Sequence, residues 1–124
     1  MLKRQRGDIG EKACVKYLEK KGFDIIAKNY TSRFGEIDII AKSSEYIIFA
    51  EVKTRNPNSI ASPAEFVTKS KQNKIAITAV FYLKEHKIKL QPRFDVFEVT
   101  IDLNEPPKVT AINHIENAFN GGRL

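Results

Sequence analysis

Cysteine occurs once in these 124 residues, at Cys14, and histidine twice, at His86 and His114. A single cysteine makes no internal disulfide and no thiolate metal site. Cys14 falls in a helical pattern and reads as a small packed hydrophobe. The histidines are far apart and share no ligand spacing, which argues against zinc. Long apolar runs are missing too. None approaches the roughly 18 residues that span a bilayer, so no membrane partner is expected. The opening Met1-Leu2-Lys3-Arg4-Gln5-Arg6 is basic but lacks the apolar stretch of a secretion signal. A soluble, cytoplasmic protein is the expectation. Internal repeats and linker-like composition are also lacking.

What is present is enough for one folded domain. Hydrophobic residues make up 42% of the chain, which supports a core and argues against disorder. The domain is expected to span 1–124, with a core over about 7–115 and a frayed tail over 116–124. The net charge is +6, from 21 basic and 15 acidic residues. That balance favours an anionic partner, nucleic acid first, with a solvated lysine-rich surface as the alternative.

Hydrophobic periodicity gives the order α-β-β-β-α-β-β. Asp8 caps a first helix to about Lys21, with Ile9, Ala13, Tyr17 and Leu18 facing the core and Gly22 as the stop. Extended runs follow over Phe23–Tyr30, Gly35–Lys42 and Glu45–Thr54, and the short polar segments between them predict an antiparallel meander. Ser62, Pro63 and Glu65 form a capping box for a second helix to about Lys87, with a break near Thr68–Ser70. Arg93–Ile101 and Lys108–Ile115 are the last strands.

The informative charges are those inside apolar strands. Asp38 lies between Ile37 and Ile39, and Glu51 and Lys53 follow Tyr46-Ile47-Ile48-Phe49. Strand interiors are poor in such residues, and burying them is costly unless they pair or bind metal. Glu51 and Lys53 share a strand face, ~7 Å apart. A turn near Lys42–Glu45 would bring Asp38 beside Glu51. Two carboxylates suit magnesium, which keeps waters and takes substrate phosphate for its other ligands. An adjacent lysine can orient a water or stabilise charge on phosphate. The Glu-x-Lys spacing carries little weight, because Glu19/Lys21 and Glu85/Lys87 repeat it on helical surfaces. A structural ion pair, or a solvent-facing sheet side, is the alternative.

Gly35-Glu36-Ile37-Asp38-Ile39-Ile40-Ala41 followed by Phe49-Ala50-Glu51-Val52-Lys53-Thr54-Arg55 closely resembles the YraN family of small bacterial proteins. Gly10-Glu11-Lys12-Ala13, Tyr17-Leu18, Gly22-Phe23, Asn29-Tyr30 and the Lys71–Leu83 segment fit the same pattern, so the resemblance covers roughly 7–99. That family resembles the PD-(D/E)xK nuclease superfamily and is similar to the archaeal Holliday-junction resolvases. The resemblance implies a restriction-endonuclease-like core, an α/β fold with a mixed sheet flanked by helices. It also implies a Mg2+- or Mn2+-dependent endonuclease acting on structured or branched DNA; a non-catalytic nucleic-acid-binding protein of the same fold is the alternative. Asp38 and Glu51 match the metal-binding acids, Lys53 the catalytic lysine, Val52 a carbonyl donor, and Glu11 the first-helix glutamate that completes many such sites. The superfamily's proline is absent, since Ile37 precedes Asp38. Glu36 shares the strand face of Asp38. Lys71 and Gln72 sit where related nucleases place a helical polar residue. Arg4, Arg6, Arg33, Arg55 and Lys69 flank the site in sequence; Arg33, Arg55, Lys69 and Lys71 are the candidate phosphate contacts. A homodimer is compatible with the resemblance, because a junction offers two symmetric scissile sites.

Overall fold

The computed structural model describes residues 3–57 and 67–121. Their order is α1 (Lys3–Lys20), β1 (Asp24–Ser32), β2 (Gly35–Lys42), β3 (Tyr46–Arg55), α2 (Lys69–His86), β4 (Gln91–Asp102) and β5 (Lys108–Phe119). The strands form one sheet in chain order, antiparallel except where β3 runs parallel to β4. Tight turns join β1 to β2 and β2 to β3, which gives the expected meander. A parallel neighbour needs a long crossover, and α2 supplies it.

The helices cover opposite faces. Cys14 and Leu18 of α1 pack with Ile39, Ala41, Ile48, Ala50, Phe97 and Val99. Ile75, Ala79 and Tyr82 of α2 pack with Ile37, Ile40, Ile47, Phe49 and Phe94. β2 and β3 are therefore apolar on both sides, which is why they read as near-continuous hydrophobic runs.

Three boundaries differ by more than two residues from those read off the sequence. α1 starts at Lys3, so Asp8 is an exposed interior residue rather than the cap. Lysine, arginine and glutamine are good helix formers and extend the helix backwards without it. α2 is capped by Thr68, whose hydroxyl accepts from the Lys71 N–H at 3.2 Å. Ser62, Pro63 and Glu65 lie outside the described residues. β5 continues past Ile115 to Phe119, so the first part of the expected frayed tail is strand. It is tied there by Asp95 of β4, which is buried and accepts from the Asn117 N–H at 2.9 Å. Burial alone would raise the pKa of Asp95, but bonds from His114, Arg93 and the Asn117 amide hold it below the usual carboxylate range. His114 is thus an anchor between strands.

The turn after α1 follows the sequence signal. Gly22 has φ 91°, and the Phe23 N–H returns to the Leu18 carbonyl at 3.0 Å, the closure that a left-handed glycine permits.

Candidate active site

The site begins where a strand ladder ends. β2 and β3 pair from Lys42↔Ile47 to Ile39↔Ala50. One further step would set Asp38 opposite Glu51. There the backbones part, and the Asp38 carboxylate substitutes for the missing ladder bond: its Oδ2 accepts the Val52 N–H at 2.8 Å. β1 is irregular at the same level. Asn29, between the pairs Lys28↔Ile39 and Tyr30↔Ile37, has φ 51°, a conformation asparagine tolerates better than most residues.

Glu51 is 5% exposed. A buried carboxylate needs partners, and two lysines supply them on one oxygen. Lys71 Nζ lies 2.7 Å and Lys53 Nζ 3.4 Å from Glu51 Oε1. Burial and the neighbouring Glu51 push the Asp38 carboxyl up to about 7, against the Val52 hydrogen bond. Burial, then Lys71, lowers the pKa of Lys53. Burial opposes the charge of Lys71 as well, but its bond to Glu51, the contact with Lys53 and the charges of Glu51 and Asp38 together outweigh that, and its pKa rises. Lys71 is therefore the firmer cation of the two.

Asp38, Glu51 and Glu36 on the sheet face Thr68, Lys71 and Lys74 at the start of α2 across a recess of about 320 Å³. A larger cavity, about 690 Å³, lies at the other end of α2 among Leu83, Leu90, Phe94 and Phe119. It lacks convergent charged groups and has no comparable chemistry.

Glu11 comes from α1 and lines a separate recess of about 300 Å³ with Asp8, Lys28 and Asn29. Burial raises its pKa, a hydrogen bond with Asn29 opposes this, and Asp8, Glu36 and Glu51 add repulsion. Glu11 and the Asp38–Glu51 pair thus feel one another's charge from neighbouring recesses. Among the described residues, no three His, Cys, Asp or Glu side chains are grouped closely enough to hold an ion.

The candidate phosphate contacts divide in two. Arg33 is exposed at the β1–β2 turn, with its guanidinium 4.9 Å from the Phe34 ring centre, and Lys69 is exposed at the start of α2. Arg55 and Lys71 are engaged in ion pairs with buried carboxylates. Arg55 NH2 donates to Glu98 Oε1 at 2.5 Å, while Arg55 NH1 and Glu98 Oε2 are buried without partners. Gln72 turns from the recess and donates to the Val67 carbonyl at 3.0 Å. Arg4 is exposed and Arg6 half-buried, both on α1.

Sequence reasoning missed Asn29 and Glu98. Glu98 had a signal: it is a carboxylate between Phe97 and Val99, the placement that singled out Asp38. Its register partner is Lys53. Asn29 is marked only by its place in the Asn29-Tyr30 pair, because a left-handed asparagine within a strand leaves no periodic trace.

Two carboxylates, a nearby lysine and a polar recess are an arrangement that suits a hard divalent cation and an anionic substrate. Residues 10–99 match the family described as Uncharacterised protein family UPF0102. A UPF0102 protein of Caldanaerobacter subterraneus subsp. tengcongensis is 43% identical over 120 residues, covering 94% of this chain and 96% of that protein. One from Clostridioides difficile is also 43% identical over 120 residues, covering 96% of this chain and 100% of its own. One from Rhodococcus opacus is 40% identical over 114 residues, covering 91% and 94%.

Proposed function

This chain belongs to the uncharacterised protein family UPF0102, and we propose that it is a divalent-metal-dependent nuclease of the PD-(D/E)xK kind, hydrolysing phosphodiester bonds in structured or branched DNA. The observation that carries the reading is the meeting of Asp38, Glu51 and Lys53 where β2 and β3 part, beside the start of α2.

The donor set fits a magnesium or manganese ion. Asp38 and Glu51 share one recess, and their mutual repulsion contributes to the raised pKa of Asp38. A cation between them would relieve it. An extended residue projects its N–H and C=O to the same edge. The Val52 carbonyl therefore faces the gap that its N–H already bridges to Asp38. Asp38, Glu51 and Val52 would hold the ion, with waters and substrate phosphate completing its shell. When bound, such an ion acidifies a water and offsets charge on the phosphoryl group.

The chain's own residues do the rest. Lys53, whose lowered pKa brings it nearer to neutrality, sits at the carboxylates and can hydrogen-bond a water or a non-bridging phosphate oxygen. Glu11, held by Asn29 in the next recess, adds negative potential that favours the cation. Arg33 and Lys69 are exposed to grip phosphates on either side. The proposal includes a cytoplasmic location and is compatible with a homodimer.

One observation favours a second reading, a non-catalytic nucleic-acid-binding protein of this fold. The acids are already satisfied internally, Glu51 by two lysines and Asp38 by a backbone amide. Branched, flapped, single-stranded and duplex DNA incubated with magnesium or manganese separate the two. A nuclease cuts the branched or flapped substrate, and Lys53→Ala slows it by about 100-fold or more. No cleavage of any substrate, or equal cleavage by Lys53→Ala, rejects the enzyme. Unchanged DNA binding by Asp38→Asn would then support the second reading.

A further inference from the structure

We propose that Lys71 is a resident counter-ion for the Asp38–Glu51 pair, and that a divalent cation must displace it from Glu51 to enter. The inference rests on the metal reading above and adds an exchange between two cations.

The geometry carries it. Glu51 Oε1 receives both Lys71 at 2.7 Å and Lys53 at 3.4 Å. One ammonium would neutralise one carboxylate. The second serves the pair: among the described residues Asp38 has no ion-pair partner of its own, yet it shares the recess with Glu51 and Lys71. With both lysines in place, two ammonium groups already compensate the Asp38–Glu51 pair. A divalent ion on Glu51 would compete with Lys71 for Oε1 and would be repelled by both ammonium groups. The ion enters most readily if one ammonium leaves.

Lys71 is the one built to do so. Its side chain is 38% exposed, against 26% for Lys53. Its backbone is fixed by its N–H bond to the Thr68 hydroxyl, and only the flexible four-carbon stem reaches across to Glu51. Swung outwards, the ammonium lies at the mouth of the recess, near Lys74 on the same helix. There it meets a substrate phosphate rather than a carboxylate. Cation entry and phosphate grip are thereby coupled: loading the site converts Lys71 from an internal ion pair into an external anion contact.

Magnesium chloride titrated calorimetrically into the full-length protein tests this. Lys71→Gln should bind magnesium about tenfold more tightly than the wild type, because the ion no longer breaks a charge-assisted hydrogen bond to enter. Its magnesium-induced rise in melting temperature should be larger as well. Lys71→Arg should bind no more tightly than the wild type, and Lys84→Gln, at the far end of α2, should match it. In the wild type, acylation of Lys71 by an amine-reactive reagent should speed up on adding magnesium, a measurement that needs no variant. Equal or weaker affinity in Lys71→Gln, or a Lys71 acylation rate unaffected by magnesium, overturns the exchange. Loss of binding in Glu51→Gln would leave the metal reading standing in that case. Absence of magnesium binding by both the wild type and Lys71→Gln overturns the metal reading and this inference together.

Discussion

At the scale of single residues, Asp38 works in two directions. Its carboxylate closes a strand pair through Val52 and contributes charge to the recess. Burial and Glu51 bring its pKa to about 7, well above the 3.8 of the unfolded chain. For an acid, a raised folded pKa means that the native state binds the extra proton. Stability is then full below about pH 4 and is lost as pH rises towards 7. The penalty at neutral pH is of the order of 2–4 kcal/mol. Asp38→Asn keeps an acceptor for the Val52 N–H and removes the titration. Denaturant unfolding from pH 4.5 to 7.5 should show the variant gaining on the wild type as pH rises. Saturating magnesium should cancel that advantage. A stability difference that stays constant with pH would contradict the assignment.

At the scale of elements, Gly10 decides how closely α1 lies on the sheet. It is buried, and a Cβ there would collide with the Thr54 methyl and touch Val52 and Val99. Replacing a mid-helix glycine with alanine ordinarily gains up to about 1 kcal/mol. Here the clash reverses the sign, because forced displacement in a packed interface costs roughly 1–3 kcal/mol. Gly10→Ala should lower stability by about that amount in equilibrium unfolding, and should weaken magnesium binding by shifting the adjacent Glu11. Unchanged or raised stability would mean that α1 adjusts freely.

The elements also show what could be read without coordinates. Every strand and both helices follow from hydrophobic period. Asp38, Glu51 and Lys53 were found because charge inside apolar strands demands a reason. Residues whose role depends on distant partners were harder. Lys71 reads as one of several lysines along a helix until α2 sets it on Glu51. Arg55 reads as a free phosphate contact, yet it is tied to Glu98 from β4, a strand reached only after the crossover. Asp95, between Phe94 and Val96, carries the same strand-interior signal as Asp38, but its partners His114 and Asn117 come to it only with β5. Local sequence sets periodicity and caps; long-range pairing sets who meets whom.

At the scale of the molecule, the charge of +6 is distributed unevenly between work and surface. Lys53, Lys71, Arg55 and Arg93 are spent on internal carboxylates. Lys69 remains exposed at the start of α2 beside the candidate site, and Arg33 remains exposed in a separate recess with Phe34, Phe81 and Lys84. DNA affinity should therefore fall log-linearly with salt. Arg33→Ala and Lys69→Ala should each lower the slope by about 1, as expected for one lost phosphate contact. Fluorescence anisotropy across a salt series checks this, and identical slopes would place the DNA elsewhere. No helix among the described residues is long and apolar enough to cross a membrane.

The bond between Asp38 and the Val52 amide has a bearing on the family's history. An acceptor that completes the backbone is retained by selection for folding, whether or not any phosphodiester is cut, and asparagine supplies it as well as aspartate. A descendant that had abandoned catalysis would still keep it. Lys53 has no such duty to the main chain. On the proposed reading, loss of the lysine, or exchange of the aspartate for asparagine, would mark UPF0102 lineages in which the chemistry has lapsed.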